Sequence, residues 1–142
     1  MQWTSLDLKN MASILDDVAD AVLTFRNQNA GNLTQLQKNQ LTAQFGQLVS
    51  LGEQLENEAL ENALVDIDGD VTDLQNATHD ATRALQTITK VQNAINIAVA
   101  VAALGVAILN PSPGGIAHSV DTLVQAIQQA KNPPGNTGQN GN

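Results

Sequence analysis

The chain has 142 residues, a formal charge of −8 and no cysteine. That length is enough to bury a real core within about one domain. The missing cysteines exclude a disulfide framework, a Cys-ligated zinc and a thiol nucleophile, and the charge disfavours nucleic acid and anionic lipid as partners.

Aromatic residues are scarce, with Trp3, Phe25 and Phe45 the full set. Leu, Ala, Val and Ile carry the apolar content, and Ala and Leu are strong helix formers. No segment alternates apolar and polar residues as a half-buried strand does, so the expected class is all-α. Charged residues make up only 14% of the chain, against about a quarter in ordinary globular proteins. Amides take their place at Gln35, Gln37, Asn39, Gln40, Gln44, Gln47 and Gln54. Such a surface repels a second copy of itself only weakly and suits lateral packing.

The N-terminal residues lack a basic stretch followed by an apolar one, so no secretory signal peptide is expected. That leaves the location undetermined: cytoplasmic, or exported by another route.

The first expected helix spans about residues 5–28. Thr4 or Ser5 can cap it, and Asp7 suits the positive end of the helix dipole. Leu8, Met11, Ile14, Leu15, Val18, Val22 and Phe25 form its apolar face. Gly31 is a candidate left-handed helix stop. A second helix is expected over about residues 33–65, with Leu41, Phe45, Leu48, Leu55 and Ala59 inside and Gly52 between them. Asp66, Asp68, Gly69 and Asp70 favour a turn. The apolar phase nevertheless continues through Leu60, Leu64, Ile67, Val71, Leu74, Thr78, Ala81, Leu85, Ile88, Gln92, Ile95, Val99, Ala102, Val106 and Leu109, with only Thr78 and Gln92 as polar breaks. Such a register also fits one very long helix. The turn is preferred because a monomer must fold back.

The third helix is expected over residues 70–109, about 60 Å long. Pro111, Pro113, Gly114 and Gly115 end it. A fourth helix follows over about residues 116–131, with Val120, Leu123, Val124 and Ile127 on one face. The expectation is an elongated up-down bundle of about four helices, with residues 1–131 as one domain. Residues 132–142 form a flexible tail with nothing to bury.

Residues 94–109, AINIAVAVAALGVAIL, are the strongest apolar segment. The uninterrupted run, residues 97–109, is shorter than the about 20 residues a bilayer crossing needs. No basic cluster or aromatic belt flanks it. A helix apolar all round belongs at the centre of a bundle, so the segment reads first as a core strut. Ala94, Ala98 and Ala102 recur every four residues. With Gly105 and Leu109 they mark a candidate close-packing or membrane segment. The layout resembles the helical pore-forming toxins of the cytolysin A and haemolysin BL type: an amphipathic helix runs into an apolar end and a Pro/Gly turn. The resemblance covers about residues 60–131, rests on no diagnostic motif and transfers no functional residue. It implies a conditional membrane role.

From Asn39 to Thr82 there is no Lys or Arg, while acids accumulate. Glu53, Glu56, Glu61, Asp66 and Asp73 are the candidate docking face for a basic partner; the plainer account is a solvated helix face. Asp66, Asp68 and Asp70 fail the calcium-loop pattern, which needs Gly at the sixth position and an acid at the twelfth. His79 and His118 lack the Glu three residues earlier that a four-helix di-iron site uses. Asn32-Leu33-Thr34 and Asn76-Ala77-Thr78 match the glycosylation pattern, which chance explains without a secretion signal. No nucleophile elbow or phosphate loop is present. The expectation is a non-enzymatic module without metal or cofactor. It works through a protein partner or as a homo-oligomer, the alternative being insertion of residues 94–109 into a membrane.

Overall fold

The computed structural model describes residues 2–61, 64–66, 70–110 and 114–131. The fold is all-α, with five α-helices and one short strand pair among the described residues. β1 (Gln2–Thr4) leads directly into α1 (Ser5–Gln28). After a 3-10 turn, α2 (Gln35–Glu61) runs to β2 (Leu64–Asp66). α3 (Val71–Thr87), α4 (Val91–Leu109) and α5 (Gly115–Lys131) complete the order.

Each boundary has a local cause. Thr4 and Asp7 form a reciprocal capping box: Asp7 N donates to Thr4 Oγ1 at 3.1 Å, and Thr4 N donates to Asp7 Oδ2 at 2.9 Å. Thr34 and Gln37 repeat the device at the start of α2, at 2.9 and 3.1 Å. Asp70 caps α3 by accepting from Asp73 N at 3.1 Å. α1 stops differently from the sequence expectation. Gly31 lies in the 3-10 turn, and the only positive φ among the described residues belongs to Gly114, at 73°. Asn29 closes α1 instead, its Nδ2 donating to Phe25 O at 2.9 Å.

The expected single helix over residues 70–109 is corrected to two. Ile88 and Lys90 adopt extended conformations, with ψ of 156° and 123°. Thr87, Ile88 and Thr89 are β-branched in succession, which lowers helix propensity. Thr87 Oγ1 also donates back to Ala84 O at 3.2 Å, taking up a terminal carbonyl. α2 ends at Glu61, so the chain does not continue as one helix into α3. The expected turn at 66–70 falls partly on residues 67–69, and the flexible tail wholly on residues 132–142, outside the described residues.

Neighbouring residues fix the helix directions. Arg26 Nε donates to Lys38 O at 3.4 Å, and Gly52 lies against Ala12 and Asp16, so α1 and α2 are antiparallel. Thr24 and Phe25 of α1 share a groove with Leu85 and Gln86 of α3, while β1 and β2 pair antiparallel just before those two helices begin. α1 and α3 are therefore parallel. α5 places Ile116 beside Leu74 and Lys131 beside Thr87, so it runs with α3 and against α4.

The buried cluster draws on all five helices and on Trp3, which is completely buried. The predicted apolar face of α1 is buried throughout. In α2, Leu51 joins the inner stripe, while Phe45 is only partly covered. Thr78, a polar break in the apolar series, is buried and donates its hydroxyl to Leu74 O at 2.6 Å.

Candidate functional site

α4 carries the most distinctive surface. It contains no ionisable side chain. It packs against α5, α2 and α1. Ala94 and Ala98 are fully covered, and Ala102 and Gly105 are buried. At Gly105 the approach is close: a Cβ there would lie 3.2 Å from Leu51 Cδ1 and 3.5 Å from Leu15 Cδ1. Glycine lets three helices meet at that point. Leu109 is half-buried at the end of the helix.

The expected central strut, enclosed by its neighbours, is corrected. α4 keeps one open row: Gln92, Asn96, Val99, Ala103 and Val106 are exposed, and Asn110 continues the row just past the helix end. Val99 is 47% exposed and Val106 41%. The spacing alternates four and three residues, the seam a partner helix would follow. The row is apolar at its centre and amide-bearing at its ends. Beside it, an open groove of about 360 Å³ is shared with α5 through Gln125, Ala126 and Gln129.

The break at residues 88–90 created this row. It resets the helical phase, so the predicted apolar series does not stay on one buried face. Ile95 and Ala102 remain buried, while Gln92, Val99 and Val106 turn to solvent. Sequence periodicity placed Val99 and Val106 on the same apolar stripe as Ile95 and Ala102, with Gln92 a polar break in it.

The acidic residues do not form one face. Glu53 and Glu56 of α2 lie near Asp16, Asp17 and Asp20 of α1. Asp73 lies instead in a groove between α3 and α5, with Asp70 and Asp121. Glu61 is exposed in the last turn of α2, and Asp66 belongs to β2. The α1 acids were missed because they are remote in sequence from the acidic block. Antiparallel α1–α2 packing brings them together.

The Asp16 carboxyl titrates above the usual carboxylate range. Partial burial is the main cause, followed by the charges of Glu56, Asp20, Asp17 and Glu53. Among the described residues no three His, Asp or Glu side chains converge as a metal site would require. His79 and His118 are both exposed, on α3 and α5. The groove between α1 and α3 has Asp17, Asp20 and Thr24 at its lip and Phe25 and Leu85 at its floor. Asn76 lies exposed on α3, and Asn32 in the 3-10 turn. No family model, described protein or solved structure matches this chain.

Proposed function

We propose that the protein is a non-enzymatic helical module that works through protein–protein contact, with the open row of α4 as its contact face. The observation that carries this reading is the uncharged row Asn96–Val99–Ala103–Val106 on a protein of net charge −8. Apolar positions left open at seam spacing are what a docking helix buries. The amides of the rim can hydrogen-bond without ionic cost. The bundle layout serves this role, since α2 and α5 flank α4 and hold its open face outward.

A second reading rests on the dimensions of α4. It is 19 residues long with a mean hydropathy of 1.9, and 56% of its most apolar 18-residue stretch is buried. At about 28 Å it approaches the about 30 Å hydrocarbon thickness of a bilayer. Insertion would require α4 to leave α1, α2 and α5, whereas docking through its open row requires no rearrangement. Docking is therefore preferred. A basic partner for the acids is a weaker option, because Glu53 and Glu56 are separated from Asp73.

The test is a single cysteine at Ala103, in a chain that has no other. Maleimide labelling of the Ala103→Cys protein is compared between dilute purified protein, the same protein near millimolar concentration, concentrated extract of the source cells, and neutral or anionic vesicles; slowing with concentration also supports the contact reading. Slower labelling in the extract supports the contact reading. Protection by vesicles alone supports the membrane reading. Equal rates everywhere contradict both.

A further inference from the structure

We propose that the occupant of the α4 row is a second copy of this chain, lying antiparallel across a two-fold axis that passes between Val99 and Ala103. The inference deepens the contact reading and rests on it. Three features of the row carry it.

The first is charge. Two chains of −8 repel wherever their acids meet. α4 has no ionisable residue, and the acids described above gather on the α1–α2 side and in the α3–α5 groove. A copy approaching the α4 row brings an equally neutral surface.

The second is the symmetry of the positions. Residues 99 and 103, 96 and 106, and 92 and 110 are each centred on 101. A two-fold axis maps one half of the row onto the other, as an isologous interface requires. The antiparallel arrangement sets Val99 on Ala103 of the second copy, large on small. A parallel arrangement would set Val99 on Val99 and leave a gap between paired alanines.

The third is the ends of α4. Lys90 is the exposed N-cap, and the last turn contains no basic residue. The carbonyls at the C-terminal end carry partial negative charge and favour a cation. An antiparallel copy delivers its Lys90 to that end, while a parallel copy sets Lys90 beside Lys90.

The contact is small. A strip about 28 Å long and about 20 Å wide across α4 and the near flank of α5 offers about 550 Å² per copy. A standard stable interface takes about 800 Å² per partner. The dimer is therefore weak and dissociates on dilution.

The experiment uses the full chain. Asn96→Cys and Val106→Cys proteins are mixed and oxidised near millimolar concentration, and the wild type is sedimented over a range of concentrations. We expect a reversible dimer and a mixed 96–106 cross-link far above either self-link. Preferential 96–96 linking would overturn the antiparallel arrangement, since antiparallel copies hold those positions about 15 Å apart along the axis. A wild-type monomer at every concentration, with no cross-link, would overturn the proposal entirely. In that case, protection of the Ala103 cysteine in extract would leave the contact reading standing with a different partner. Its absence would remove both.

Discussion

Asp16 occupies the space that a side chain at Gly52 would need. A Cβ built on Gly52 would lie 2.9 Å from Asp16 Oδ1 and 3.4 Å from Ala12 O. α1 and α2 are antiparallel and nearly touching there, and the glycine is what permits it. Gly46, on the same helix, has nothing within 4 Å of its would-be Cβ.

The two glycines should respond in opposite directions. Gly46→Ala removes a helix-interior glycine at no steric cost, and should stabilise by about 0.5–1 kcal/mol. Gly52→Val adds branches against the backbone of Ala12, and should destabilise by about 1–3 kcal/mol. Thermal unfolding of both variants checks this, and equal shifts would show that the helices are not close at Gly52.

The raised titration of Asp16 sets a pH dependence. A folded-state value above the unfolded one means that folding favours the protonated form. This contribution is fully present below the ordinary Asp range of about 4 and is lost as pH rises through the raised value. At neutral pH the charged Asp16 is a liability beside Glu56, Asp20, Asp17 and Glu53. Asp16→Asn should therefore raise the melting temperature at pH 7 and lose that advantage in acid. The side chain is largely exposed, so the gain stays within the about 0–1 kcal/mol of surface charge effects. Melting curves across pH, with and without the substitution, decide it.

Trp3 is the sole tryptophan and is completely buried, although it belongs to a three-residue strand at the edge of the fold. Its emission should be blue-shifted in the folded protein and move to the red in a single step on unfolding. Trp3→Ala should cost about 3–5 kcal/mol. Native emission typical of a solvated indole would contradict the burial.

Much of the fold was legible in the residues themselves. The apolar face of α1 and a cap at Thr4 or Ser5 follow from spacing and side-chain chemistry, whereas the close contacts at Gly52 and Gly105 are visible only in the packed helices. The β1–β2 pair was not legible. Its strands are three residues each and lie more than 55 positions apart in the chain, so no local pattern announces them. The break at residues 88–90 was hidden by an apolar series that continued on both sides of it. Periodicity reports where apolar residues fall if the helix is unbroken, and Thr87-Ile88-Thr89 carries no proline or glycine to warn otherwise. The open row of α4 depends on that break, so the candidate site emerged only with the structure. The small residues Ala94, Ala98, Ala102 and Gly105 stand out in the sequence because their spacing lies within one helix, and all four are buried.

The proposed pairing of two copies through the open row of α4 stands or falls on whether the chain associates by that face. Sedimentation velocity of the wild type beside Val99→Glu, over matched concentrations, tests it most directly. Val99 is 47% exposed, so the substitution should leave the fold intact, with unchanged circular dichroism. It should weaken association at least about tenfold by setting an unpaired charge in the interface. The wild-type sedimentation coefficient should rise with concentration, and the Val99→Glu coefficient should stay at the monomer value. Identical behaviour of the two proteins, whether both monomeric or both associating, would contradict the pairing.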